Sequence, residues 1–252
     1  MRFRQYLGLG AFIYFAVLIA NLPASLLVSR LVPAGGPVVI EGVSGTVWNG
    51  AVSLIRVNRE VLPPLRWQLV FTPLLRGRLG LDWQLGGGAE PVSGHGRLAL
   101  GLGRRISLTA TELRVPAARI APYMRVPGLE LAGDFSLHVD RFSAEGMKLT
   151  ALAGVLTWNQ GYLKSPYGQA EVGSQSVHVT GRPDGGIDGQ LAELEGPMDL
   201  KGEFRWNPDG NYVCNGSVRE QLPKSLAQFF QIFGRPDGKG RLDFHYQGLY
   251  KP

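Results

Sequence analysis

The sequence predicts an all-β protein with one N-terminal transmembrane helix and one or two short helices. Its body reads as a twisted antiparallel sheet, sandwiched or groove-like, with room for two related β units. Three observations predict this. One apolar stretch of membrane length, residues 7–28, precedes everything else. Apolar and polar residues then alternate through most of the remaining chain. Glycine is abundant at 35 of 252 residues, about twice average usage, and charged residues are sparse at 18%, as in a sheet with many turns.

The first element is Leu7 to Val28, LGLGAFIYFAVLIANLPASLLV. A spanning helix needs about 20 mostly apolar residues, and Asn21, Pro23 and Ser25 are its soft spots. Arg2 and Arg4 precede it and Arg30 follows. Positive charge tends to stay cytoplasmic, which sets the body outside. The division expected is a cytoplasmic N-terminus at 1–6, an anchor at 7–28 and an exported β-rich domain at 29–252. A cleaved signal peptide is the alternative. Leu22-Pro23-Ala24 is a poor cleavage site, so a retained anchor is the expectation.

The formal net charge is +6, but Lys and Arg are scattered singly, with no basic run. No nucleic-acid interface is expected. Cys214 is the one cysteine, so no intramolecular disulfide can form. It reads as a buried, inert thiol in a strand.

Strands follow from alternation. Leu65, Trp67, Leu69 and Phe71 share one face, as do Leu79, Leu81, Trp83 and Leu85. Leu129, Leu131, Phe135, Leu137 and Val139 face inward, while Glu130, Asp134, Ser136 and His138 face outward. Met198, Leu200, Phe204 and Trp206 alternate with Asp199, Lys201, Glu203 and Arg205. Leu242, Phe244 and Tyr246 make the last inward set. One wet and one dry face is the antiparallel pattern.

Three Pro-Asp-Gly turns punctuate the second half, at 183–185, 208–210 and 236–238. Proline presets one angle, aspartate tolerates the turn and glycine supplies positive φ. Each offers one carboxylate, too few for a calcium loop. Two stretches read as helical. Leu222, Leu226, Phe229, Phe230 and Phe233 form one stripe, and a shorter run spans Ala117 to Met124, limited by Pro122. The segment 45–50, GTVWNG, has a faint echo in 155–159, VLTWN. All five tryptophans precede an amide residue; Trp48, Trp67 and Trp158 read as largely buried.

Asp134, Ser136, His138 and Asp140 share one strand face and are a hydrolase triad by residue type. Residues at i, i+2 lie about 7 Å apart along a strand, beyond the reach a nucleophile needs of its base. A solvated face is the reading. His95, His178 and His245 are isolated and lack zinc spacing. No catalytic, cofactor-binding or metal residues are assigned.

The chain resembles the type II secretion system protein N family. Four features carry the resemblance. They are the basic N-terminus with its single anchor; the Gly-x-x-Trp-x-Gly signature at Gly45, Trp48 and Gly50; Leu65-Arg66-Trp67-Gln68 running into Pro73 and Gly77; and a C-terminal pattern of apolar helix, Asp237-Gly238-Lys239-Gly240-Arg241 and a final strand. With Trp158, these motif residues are candidates for structural roles. The resemblance implies an inner-membrane anchor, a periplasmic β domain and an accessory, non-enzymatic part in moving folded proteins through an outer-membrane secretin. The implied partners are the inner membrane and other subunits of that machine, the secretin or the inner-membrane platform. The alternative is an AsmA-like periplasmic β-groove that shields or transfers lipid.

Overall fold

The computed structural model describes residues 2–32, 36–57, 60–87, 90–124, 128–146, 148–165, 168–223, 226–227 and 234–249. They form two compact units, Met1–Ser93 and Gly94–Pro252. Every strand pair described is antiparallel, as the fold class requires.

The first unit opens with helix α1 (Arg2–Ala20) and helix α2 (Ala24–Leu31). The apolar stretch 7–28 is therefore not one helix. Proline lacks an N–H and pushes the residue before it out of the helical region. Pro23 accordingly serves as N-cap of α2, at φ −65° and ψ 139°. Asn21 closes α1, donating from Nδ2 to the Val17 carbonyl at 2.8 Å. From Leu7 to Ala20 the helix rises only about 21 Å, against a hydrocarbon core of about 30 Å. Among the described residues no helix is long and apolar enough to cross a membrane.

The strands of this unit are β1 (Val38–Gly45), β2 (Asn49–Val57), β3 (Glu60–Leu62), β4 (Leu65–Val70) and β5 (Arg78–Leu85). They pair in the order β1-β2-β4-β5, with β3 on the far half of β2. Trp67 lies opposite Trp83, and Leu65 opposite Leu85. Val52 and Ile55 of β2 and Ala24 of α2 are buried.

The second unit holds β6 (Ser93–Gly101), β7 (Arg105–Pro116), β8 (Glu130–Glu145), β9 (Lys148–Ser165), β10 (Gly168–Gly181), β11 (Ile187–Glu195), β12 (Lys201–Trp206), β13 (Asn211–Arg219), β14 (Gly234–Pro236) and β15 (Arg241–Leu249). Neighbours in sequence are neighbours in the sheet until the end, where the order is β13-β15-β14. Within each unit the path has two ends and does not close, so the sheet is open.

Between β7 and β8, helix α3 (Ala117–Ile120) passes into a 3-10 turn at Ala121–Met124. Pro122 sits where the tighter turn begins. Ala117 and Ala121 bury against Leu131, with Leu129, Phe135, Trp158 and Leu163 around them. Leu226 buries beside Met198, Val218 and Leu242. Leu226 and Ala227 are helical; Phe229, Phe230 and Phe233 of the predicted stripe lie outside the described residues.

The register separates two faces. Leu113, Leu137, Leu156, Val177 and Leu191 stand in one cross-strand row, the dry face. One position along, the row is Glu112, His138, Val155, His178 and Gln190. It continues through Glu203 and Asn215 to His245.

Candidate functional site

Six of the motif residues meet in the first unit, where the end of α1 joins the sheet. Gly45 turns the chain at φ +82°, and a Cβ there would run into the Asn49 carbonyl. The loop it starts is closed by the Thr46 N–H donating to Asn49 O at 2.9 Å and the Asn49 N–H to Thr46 Oγ1 at 3.2 Å. The loop faces Trp48 toward the helix. Its indole N–H donates to Ile19 O at 2.9 Å, one of the carbonyls at the end of α1. The Val47 N–H donates to Leu22 O at 2.9 Å, and Pro23 bridges Thr46.

Trp67 backs the loop from β4. Its indole N–H donates to Val47 O at 3.0 Å. Its ring covers Gly50, where any side chain would strike it. The Leu69 N–H donates to Trp48 O at 2.7 Å. Phe71 follows, its ring centroid 5.7 Å from that of Trp48. A 3-10 turn, Thr72–Arg76, then carries Pro73 in its first positions and ends on Gly77 at φ 66°. A Cβ on Gly80 would come within 2.9 Å of the Pro73 ring. Gly45, Trp48, Gly50, Trp67, Pro73 and Gly77 thus build one junction. It leaves Phe71 and Leu74 exposed, at 53% and 47%. Its polar groups pair with one another and fasten the end of α1 to the sheet.

The remaining motif residues belong to the second unit. Trp158 donates from its indole to Ala132 O at 3.0 Å and stacks on Phe135 at 5.4 Å. Asp237 and Gly238 make the turn into β15, with Gly238 at φ +72°. Asp237 Oδ1 accepts from the N–H groups of Lys239, at 2.6 Å, and Arg241, at 3.1 Å. Those two bonds hold its carboxyl below the usual carboxylate range. Trp48, Trp67 and Trp158, read from the sequence as largely buried, are each partly buried. Each donates its indole N–H to a backbone carbonyl.

Ser136 and His138 do not meet. Ser136 Oγ accepts from Asn159 Nδ2 at 3.2 Å, and Asp134 pairs with Arg114 at 2.8 Å. His138 sits between Glu112, 3.3 Å from Nδ1, and Asp140, 3.0 Å from Nε2. The contact with Asp140 contradicts simple strand spacing. A register shift between Val139 and Arg141 bends β8 there and brings the two together. The histidines are not isolated either. His138, His178 and His245 share the polar row, and His95 on β6 is 3.9 Å from Glu112 in it. Among the described residues, no group of three or more His, Cys, Asp or Glu could hold a metal ion. Cys214 is partly buried, and desolvation pushes its thiol pKa up.

The family model for type II secretion system protein N matches residues 36–245. The chain is 30% identical to the type II secretion system protein N of Aeromonas hydrophila, covering 93% of this chain and 94% of that one. It is 27% identical to the protein of the same name from Vibrio cholerae serotype O1, covering 91% and 92%. Against that of Klebsiella pneumoniae it is 27% identical, covering 98% and 97%. No solved structure matches. The chain belongs to the type II secretion system protein N family.

Proposed function

We propose that this chain is an inner-membrane-anchored, periplasmic component of the type II secretion system, with an accessory structural role and no enzymatic one. The observation that carries the anchoring is the surface of α1. Its large apolar side chains from Phe12 to Ile19 are exposed all round, between 46% and 71%. A helix apolar on every side needs a lipid or protein surround, and the Trp48 junction ties its end to the sheet. Family membership supports the place in secretion. The partners proposed are the secretin or the inner-membrane platform, met through sheet edges whose unpaired N–H and C=O groups can accept a neighbouring strand.

Alkaline phosphatase fused after Pro252 should be active, and the mature chain should begin at or near Met1. An inactive fusion would overturn the periplasmic placement. A mature start near Ser25 would overturn the retained anchor.

A second reading, a lipid-shielding groove, draws on the dry row of the second unit. Leu156, in register with Leu137 and Val177, remains 37% exposed. Phospholipid co-purifying in stoichiometric amount would favour it. Lipid-free protein, with cross-links from the polar faces to a secretin or platform subunit, would favour the first reading.

A further inference from the structure

The break at Asn21–Pro23 leaves α1 short. Its apolar run reaches about 21 Å, some 9 Å less than the hydrocarbon thickness. A short span is met by thinning of the bilayer or by flanking groups that enter it. The structure supplies such groups beside the root of the helix. Trp48 bonds Ile19, Phe71 packs on Trp48, and Leu74 lies on the turn that follows, its N–H donating to Phe71 O at 3.0 Å.

Phe71 and Leu74 are exposed, and the turn is fixed at both ends. Pro73 is seated against Gly80, and Gly77 closes the turn in the left-handed region. A rigid turn that presents two large apolar side chains next to an apolar helix continues that helix's surface. Indole and phenyl rings are also the groups that settle at the boundary between hydrocarbon and water.

The surrounding charge selects the partner. On the body side of the anchor, residues 29–93 hold six arginines and no lysine, against four Asp and Glu. Arg78 is exposed one residue past the turn. Such a surface is attracted to anionic headgroups.

We infer that the shelf formed by Phe71 and Leu74, on the turn between β4 and β5, seats in the interfacial layer of an anionic phospholipid bilayer. The unit that carries it then rests on the membrane directly. The inference depends on the anchored reading of α1, and the following experiment separates the two.

The full chain, with Cys214→Ser, carries one nitroxide-labelled cysteine, introduced as Leu74→Cys, Phe15→Cys or Gln84→Cys. Each is reconstituted in vesicles of phosphatidylethanolamine and phosphatidylglycerol. Relaxation by oxygen, which enters bilayers, is compared with relaxation by a water-soluble nickel chelate. The label at 74 should favour oxygen, as at 15, while the label at exposed Gln84 favours nickel. Nickel preference at 74 with oxygen preference at 15 would overturn the shelf and leave the anchor standing. Nickel preference at both would overturn both. Phe71→Cys provides a second reporter should Leu74→Cys disturb the turn. In vesicles of phosphatidylcholine alone the oxygen preference at 74 should fall. An unchanged preference would overturn the part assigned to anionic headgroups.

Discussion

The indole N–H of Trp48 donates to the carbonyl oxygen of Ile19, twenty-nine residues earlier, at 2.9 Å. That bond gives the signature tryptophan a purpose that burial alone does not. The end of a helix exposes carbonyls without partners. The one at Ile19 accepts the Leu22 N–H and also a side chain from the loop between β1 and β2.

Trp48→Phe keeps the ring and removes the donor. A net loss of about 0.5–1.5 kcal/mol is expected for one such bond. The urea midpoint of the full chain in detergent should fall accordingly. Amide exchange at Asn21 and Leu22 should rise more than exchange in β4. Uniform acceleration would show that the ring, not the bond, matters.

Gly50→Ala places a methyl group against the Trp67 ring. Overpacking of this kind costs about 1–3 kcal/mol. Trp67→Leu should cost stability alone yet relieve part of the Gly50→Ala penalty when the two are combined. Additive losses in a double-mutant cycle would mean the two sites do not touch.

Ser136→Ala and His138→Ala should leave exoprotein secretion close to wild type, because Ser136 bonds Asn159 and His138 bonds Glu112 and Asp140. Secretion assays on strains matched for expression test this. Complete loss with the fold intact would point to chemistry on that face.

The three turn aspartates predict acid sensitivity. Asp184 is lowered from the ordinary 3.8, first by Arg182 and then by the Gly186 N–H; Asp209 is lowered first by the Asn211 N–H and Asp237 first by the Lys239 N–H. A carboxyl with a lower pKa folded than unfolded binds fewer protons when folded. Its contribution is complete above the unfolded value and is lost as pH falls through the folded one. Melting temperature should therefore drop as pH falls below about 4, where unfolded carboxyls take up protons. Asp237→Asn should flatten that drop. An unchanged pH profile would show that the Asp237 turn does not contribute.

The strands were legible because alternation is local: Leu65, Trp67 and Leu69, or Leu242 and Phe244, announce their face within a few residues. The Pro-Asp-Gly turns were legible for the same reason, as each Asp bonds an N–H two residues on. Hydropathy averaged over a window passed across Asn21 and Pro23, although both residues flagged the break. The histidine row could not be seen, because His138 and His178 align only through the register of two intervening ladders. The Trp48 bond was hidden likewise, since it joins a loop to a helix end far back in the chain.

From β7 to β12, every strand lies against the strands made just before and just after it. Each pairing closes a hairpin and not a distant loop, so loop-closure entropy is small at every step. A chain made amino end first never waits for a remote partner there; each arriving segment finds a finished edge to grow on. Only the last step runs backwards. β14 pairs with β15 and not with β13, so the growing edge is capped only after the final strand has arrived.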